Sequence, residues 1–140
     1  MTNELIEYLK EKVAENVNNL SSIRLLNNND YSFEAILEAK NCDIKIHEST
    51  RQFQLFISKK DNNWISMYWV GKYLEIPYQI FTIEQLSGAY DEILKKQIDY
   101  ICSFIKNSIE VLDSFYDKNI DKDILKIQGI IQPTNIPWYK

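Results

Sequence analysis

The chain contains one histidine, His47, the side chain best suited to proton transfer near neutral pH. A two-residue turn at 40–41 places it in a strand directly opposite Glu34, so that an imidazole and a carboxylate meet across a hairpin. Such a pair can act as a general base, but a working site needs further positioned groups. The pattern places no nucleophile beside it. We therefore interpret the pair as an exposed cross-strand contact worth well under ~1 kcal/mol.

Other sequence signatures of catalysis or metal binding are missing. The chain has no Gly-rich phosphate loop, no paired-cysteine zinc spacing and no nucleophile elbow. The aspartate-rich stretch 113–123 lacks the turn glycine and terminal glutamate of a calcium loop. Cys42 and Cys102 fall in apolar patterns and are predicted to be small buried hydrophobes, not a disulfide. The sequence thus predicts no catalytic residue, no metal site and no cofactor, and we expect a protein that is not an enzyme.

Two groups of residues are typical of a surface that binds another protein. The first, the acidic stripe, lies on one side of a predicted N-terminal helix and consists of Glu4, Glu7, Glu11 and Glu15. Like charges at this spacing slightly destabilise a helix but favour encounter with a basic partner. The second, the apolar patch, consists of Phe56, Ile65, Met67 and Trp69. Both groups also have a structural explanation. The acidic stripe can be a solvated helix face, and the apolar patch can be sheet residues covered by a helix.

The apolar patch belongs to a predicted four-stranded antiparallel meander over residues 33–70. Three independent two-residue turns give registers that put the main apolar set of every strand on one face. These turns are Lys40-Asn41, Ser49-Thr50 and Asp61-Asn62. The predicted cross-strand pairs include Leu37–Ile44, Ile46–Phe53, Leu55–Tyr68, Phe53–Val70 and Ile57–Ser66. Tyr68 is therefore expected in the core, whereas Trp69 lies on the second face with equal arguments for burial and recognition.

Helices are predicted before and after this meander. Residues 3–20 form an amphipathic helix capped by Thr2 or Asn3, and residues 21–30 form a connector. Residues 83–117 carry a broad apolar arc after a capping box at 82–85. Unbroken, that helix is on the order of 50 Å long, so it either breaks or overhangs strands of about 23 Å. The long helix is expected to cover the apolar sheet face, with the first helix the candidate for the other face.

The fold class is accordingly α+β in a single domain, 1–140: an N-terminal helix, a four-stranded antiparallel meander, a long helix packed on one sheet face and a short C-terminal element. The tail 119–140 fits a helix or a strand equally well. A net charge of −4 and a pI near 5.0 argue against nucleic-acid binding. No signal peptide or membrane-spanning run is recognisable, so we expect a cytoplasmic protein without membrane contact.

These features lead to one main hypothesis and three alternatives. The main hypothesis is a non-enzymatic acidic protein that binds and neutralises one protein partner, such as a bacterial immunity protein or inhibitor facing a basic toxin domain. A secretion-type chaperone belongs to the same binding class. The second class is a small-ligand-binding domain or enzyme with a pocket between sheet and long helix, lined by Tyr90, His47 or Glu34. The third is a structural homodimer formed by the overhanging helix.

Overall fold

A computed structural model describes residues 1–17, 22–82, 84–118 and 120–130 of the chain. The fold is α+β, as the sequence predicts. The helices are α1 (Asn3–Asn16), α2 (Met67–Leu74), α3 (Tyr90–Asp117) and α4 (Asp121–Ile130). The strands are β1 (Ser22–Asn28), β2 (Ser32–Glu38), β3 (Asp43–Ser49), β4 (Gln52–Ser58) and β5 (Ile65–Ser66). The expectations for residues 18–21 and 131–140 fall outside the described residues.

Within the described residues the sheet has five antiparallel strands in the order β1-β2-β3-β4-β5, one more than predicted. The extra strand is β1, within the stretch predicted to be a connector. A bulge between Leu25 and Asn27 interrupts its pairing with β2, and both Leu25 and Leu26 are exposed. Because the bulge breaks the period of two and β1 is a mostly exposed edge strand, its sequence lacks the alternation by which a half-buried strand is recognised.

The predicted faces of the central strands are confirmed, although two registers are wrong. Leu37 lies opposite Ile44, as predicted. In the next hairpin Ile46 lies opposite Leu55 instead of Phe53, because the turn is at Thr50-Arg51 and not at Ser49-Thr50. This shift moves the pairing by two residues, so every side chain keeps its face. The last pairing is displaced by one residue, with Ile57 opposite Ile65.

The predicted fourth strand over 65–70 is also wrong beyond Ser66. β5 ends there, and α2 begins at Met67. The helix ends at Glu75, whose φ of 59° is left-handed, and the Ile76 N–H donates to the Gly71 carbonyl at 2.8 Å. A Cβ at Gly71 would lie 2.9 Å from the Ile76 oxygen, so this close return of the chain needs glycine. The predicted pairs of Tyr68 and Val70 with β4 therefore do not form.

Helices α1 and α3 lie side by side on the apolar face of the sheet. The expectation that α1 covers the opposite face is therefore wrong. The Thr2 hydroxyl accepts a hydrogen bond from the Leu5 N–H at 3.3 Å, which confirms the predicted cap. Buried residues of α1 join the same hydrophobic cluster as the sheet and α3, because the stripe of Leu5, Leu9 and Val13 points inward beside that longer helix.

Helix α3 is unbroken over 28 residues, about 42 Å, and begins later than predicted. The capping box exists: the Gln85 side chain accepts from the Thr82 N–H at 2.8 Å, and the Thr82 hydroxyl accepts from the Gln85 N–H at 3.4 Å. It caps only the short 3-10 turn Glu84–Leu86, which Gly88 at φ 119° separates from α3. Near the C-terminal end of α3, Phe115 packs against Tyr73 of α2 with ring centroids 6.2 Å apart. The C-terminal element is a helix, α4, whose Ile127 belongs to the same hydrophobic cluster as Leu112 and Tyr116.

Candidate functional site

The apolar patch predicted from the sequence does not form one surface. Ile65, Met67 and Trp69 are 5%, 0% and 2% exposed and belong to the core, and only Phe56 stays on the second sheet face. Met67 and Trp69 turn inward because α2 starts at Met67 and its side chains follow a helical period. Ile65 faces inward because the pairing of β5 is displaced by one residue, which puts it opposite Ile57 and on the core face. The Trp69 Nε1 is buried with no hydrogen-bond partner within the described chain. These three residues are therefore not available to a partner.

All four glutamates of the acidic stripe are exposed along α1, as predicted. Lys10 Nζ lies 3.6 Å from Glu7 Oε1 and partly offsets the charge. Beneath them the Tyr8 hydroxyl donates to Asp99 Oδ1 of α3 at 2.5 Å, a bond that raises the pKa of Tyr8 to about 12. Because α1 packs on the apolar sheet face, the stripe and Phe56 lie on opposite sides of the molecule. One small partner surface cannot contact both.

We call the second sheet face, with Glu34, Lys45, His47, Phe56 and the adjoining Trp64, the outer face. The predicted Glu34–His47 pair is confirmed, with 3.2 Å between Glu34 Oε2 and His47 Nδ1. The same carboxylate oxygen lies 3.8 Å from Lys45 Nζ. One carboxylate is thus shared by two basic side chains on neighbouring positions of β3. All three side chains remain partly exposed, so no described helix covers this face.

Two aromatic rings complete the outer face. Lys45 Nζ lies 5.2 Å from the Phe56 ring centroid and 4.8 Å from that of Trp64, within the range of a cation–π contact. The His47 and Phe56 rings meet edge to face with centroids 6.5 Å apart. The sequence pattern does not single out Lys45 and does not place Trp64 on this face. The pattern that could have indicated this cluster is that Lys45 and His47 are two residues apart on β3 and therefore share a face, and that Lys45 lies opposite Phe56 of β4.

Beside the outer face, a groove runs along the edge of β4. It has a volume of about 270 Å³. We call it the edge groove, and its lining residues are Gln52, Phe53, Gln54, Leu55, Phe56, Ser66, Tyr68, Tyr78 and Ile80. Phe56 belongs to both surfaces, which makes them continuous. Tyr68, expected in the core, is half-buried in the wall of this groove.

The arrangement does not assemble the pocket that the small-ligand hypothesis requires. Glu34 and His47 lie on the outer face, whereas Tyr90 donates its hydroxyl to the buried Glu48 on the helix side at 3.1 Å. Burial and the Glu48 charge raise the pKa of Tyr90 to about 12. Between sheet and α3 the side chains are tightly buried, with Ile44 and Ile98 both 0% exposed. The three candidate polar groups therefore do not converge.

Metal-ligand geometry is likewise not found in the described part of the chain, where no group of three His, Cys, Asp or Glu side chains is placed to hold an ion. Cys42 and Cys102 are both buried free thiols, as predicted. Burial, and then the charge of Asp113, raises the pKa of Cys42, so its reactive thiolate form is disfavoured at neutral pH. Three surfaces remain with binding potential: the acidic stripe, the outer face and the edge groove.

The fold and these surfaces define an α+β protein with one sheet face covered by helices and a second face that no helix of the described residues covers. In comparisons with known proteins, no family model, no curated protein and no solved structure matches the chain. Among the described helices, none is both long and apolar enough to cross a bilayer. The surfaces of the molecule are therefore the basis for proposing a function.

Proposed function

We propose that this protein binds one protein partner through its outer face and acts without catalysis, as an immunity protein or inhibitor that neutralises a toxin. The observation that supports this is the Lys45 cluster: a carboxylate, a histidine and two aromatic rings grouped around one ammonium on an uncovered sheet face. Tryptophan, tyrosine and arginine are enriched among the residues that dominate interface energies, which makes the partly exposed Trp64 the expected anchor of this face. A chaperone for one secreted protein would use the same surface.

The charges of the outer face favour a partner with mixed, not purely basic, character. Glu34 is already shared between Lys45 and His47, and Asp43 accepts from Lys60 Nζ at 2.8 Å. With its acids largely compensated, this face gives little selectivity for a strongly basic protein. A basic toxin domain would instead meet the acidic stripe on α1. The two surfaces therefore predict different partners and can be separated by mutation.

The test is recovery of a stoichiometric partner with the tagged full-length chain from its native host. Trp64→Ala and His47→Ala should weaken partner recovery by at least about tenfold, as expected for hot-spot residues. Glu7→Gln and Glu11→Gln serve as matched controls on the acidic stripe and should retain the partner. The partner gene expressed alone should impair growth, and the wild-type chain, but not Trp64→Ala, should restore it.

Two outcomes contradict the proposal. If no stoichiometric partner is recovered, the protein does not work by complex formation. If the partner is lost from the Glu7 and Glu11 variants but kept by the Trp64 variant, the acidic stripe is the binding surface and the outer face is not.

A further inference from the structure

The outer face contains the one histidine of the chain, His47. Histidine is the side chain type whose charge ordinarily changes between about pH 5 and 8. Aspartate, glutamate and lysine ordinarily keep their charges in this range. A single proton, taken up at one position, is therefore expected to change the charge of this face near neutral pH.

The strands around His47 present two charged side chains to it, one of each sign. Glu34 lies directly opposite on β2, with its Oε2 3.2 Å from His47 Nδ1. Lys45, two residues earlier on β3, places its Nζ 3.8 Å from the same oxygen. On β4 the residue opposite is the uncharged Gln54, and Phe56 beside it meets the imidazole edge to face. The charge of His47 is therefore felt first by Glu34 and Lys45.

The contacts of these two basic groups with Glu34 compete, because both use one carboxylate oxygen. A protonated imidazole donates a charge-assisted hydrogen bond, which is stronger than the bond of a neutral ring. His47 Nδ1 and Lys45 Nζ can be no more than about 7 Å apart, since they share a neighbouring atom, and like charges at this distance repel each other. Protonation of His47 therefore weakens the contact between Glu34 and Lys45 in two ways.

Lys45 has a second favourable position within reach. Its Nζ lies 4.8 Å from the Trp64 ring centroid and 5.2 Å from that of Phe56. An ammonium over an aromatic face is stabilised without any carboxylate. The side chains of Lys45 and Glu34 are 19% and 27% exposed, so solvent keeps their ion pair weak. A change of one charge is then large enough to alter the position of the ammonium.

We propose that His47 is a pH switch of the outer face, whose protonation releases Lys45 from Glu34 and seats the ammonium over the two aromatic rings. The same proton changes the charge of the face. Each charged strand residue on this face belongs to one of three ion pairs: Glu34–Lys45, Asp43–Lys60 and Glu38–Arg24. These pairs balance while His47 is neutral, and its protonation adds one positive charge. The switch is internal to the chain and goes beyond the proposed function, because it needs no partner.

The test is nuclear magnetic resonance of the full-length chain between about pH 5 and 8. The methylene signals of Lys45 and the indole N–H signal of Trp64 should shift in one step that follows the His47 ring. Ring currents make these signals sensitive to the position of the ammonium, and Lys45→Gln and Trp64→Phe identify them. Lys72 is the internal control, because its Nζ lies 5.6 Å from the Trp69 ring centroid in a similar pair away from the histidine. Its signals should stay constant.

Three variants separate the roles of the charged groups. His47→Gln keeps a polar side chain whose charge cannot change, so the step in the Lys45 signals should be lost completely. Glu34→Gln should keep the titration of His47 but lose most of the Lys45 step, because the shared carboxylate is gone. Asp43→Asn is the matched control, since it removes the same charge from the pair with Lys60 and should keep the step. Circular dichroism of each variant at both ends of the titration excludes loss of fold.

Lys45 signals that stay constant through the titration of His47 would overturn the switch, as would a step that persists in His47→Gln. A full step in Glu34→Gln would show that the carboxylate does not couple the two basic groups. Loss of the step in Asp43→Asn would show a response to overall charge and not to this contact. The proposed function fails by a different result, the absence of a stoichiometric partner, so the two failures are distinguishable.

Discussion

Gln97 shows how one side chain can close a sheet edge. It lies within the apolar arc of α3 and is 1% exposed, yet it bonds both a donor and an acceptor of β4. A carboxamide has the same donor and acceptor set as a peptide group, so it acts as one unit of a neighbouring strand. A buried polar residue among isoleucines is otherwise costly, which makes its pairing a requirement of the fold.

We predict that Gln97→Leu destabilises the protein by about 1–3 kcal/mol, because the substitution leaves the Phe53 N–H buried without a partner and removes the donor from the part-buried Arg51 carbonyl. The measurement is urea unfolding followed by circular dichroism. Gln54→Leu, on the exposed side of the same strand, is the control and should change the free energy of unfolding by less than about 0.5 kcal/mol. Equal stability of wild type and Gln97→Leu would show that the bonds contribute nothing.

At the residue scale, the sequence predicts contacts between neighbouring strands better than it predicts grooves or contacts between distant elements. The Glu34–His47 contact followed from one turn and the period of two, both local properties. Gln97 was not recognised, since helical spacing places it near the apolar arc but says nothing about its partner. The edge groove was equally hidden, because it depends on where β5 ends and on the return of segment 78–80 from a distance in sequence.

The positions of the turns between strands explain which predicted strand pairings are correct. The turn between β3 and β4 uses Thr50 and Arg51, both at positive φ, with values of 50° and 69°. Asparagine and glycine are the usual residues there, so the sequence gives no clear signal for this position. The two-residue error kept the faces intact and left the main architecture correct. The predicted strand over 65–70 is wrong beyond Ser66, because Ile65, Met67 and Trp69 fit a short strand as well as a helix and the sequence does not show that α2 starts at Met67.

The turn between β2 and β3 is fastened to α3 by one carboxylate. Asp113 Oδ1 accepts from the Asn41 N–H at 2.7 Å, and Asp113 Oδ2 accepts from Asn41 Nδ2 at 3.0 Å. The Cys42 thiol lies 3.6 Å from Oδ1. Since this turn is at one end of the sheet, the contact fixes the position of the hairpin along the long helix. The aspartate-rich stretch thus has a structural role at its first member.

We predict that Asp113→Ala lowers the free energy of unfolding by about 1–2 kcal/mol, because the Asn41 N–H loses its acceptor in a partly buried position. Asp117→Ala is the matched control, one turn further along α3 on an exposed side chain, and should cost less than about 0.5 kcal/mol. Thermal and urea unfolding report the difference. Equal stability of the Asp113→Ala and Asp117→Ala variants would show that the contact between Asp113 and Asn41 does not stabilise the fold.

For the whole molecule, the layer arrangement determines which surfaces remain for binding. Helices α1 and α3 share one face of the sheet, so none of the helices that the structure describes covers the opposite face, and the acidic stripe points away from it. The sequence supported a helix on each face because the second face was predicted to carry Phe56, Ile65, Met67 and Trp69, an apolar set that needs a cover. The structure instead buries Ile65, Met67 and Trp69 in the core. Ile36 of the second face is 3% exposed between Arg24 and Lys45 in the ladder, where long side chains can shield apolar surface.

The same dense core makes stability depend on pH at the alkaline end. Raised pKa values are found for both thiols and for several tyrosines, among them Cys42, Cys102, Tyr8, Tyr78, Tyr90 and Tyr116. Burial is the main cause in all of these except Tyr8, where the bond to Asp99 comes first. The pKa of Cys102, for example, rises from 9.0 to about 12. The folded state therefore holds these protons at a pH where the unfolded chain releases them.

We predict that the free energy of unfolding is constant between about pH 7 and 8 and falls as pH rises above about 9, because there the unfolded chain binds fewer protons than the folded state. Each fully buried thiol contributes up to about 1.4 kcal/mol per pH unit above its unfolded pKa. Urea unfolding at pH 7.5, 9 and 10 measures the slope. The double substitution Cys42→Ala, Cys102→Ala should flatten the curve between pH 9 and 10 while leaving the tyrosine-dependent loss above pH 10. A wild-type stability that is unchanged to pH 10.5 would mean that these thiols and tyrosines are solvated in the folded protein. The space between the sheet and α3 would then be open enough to hold a small ligand.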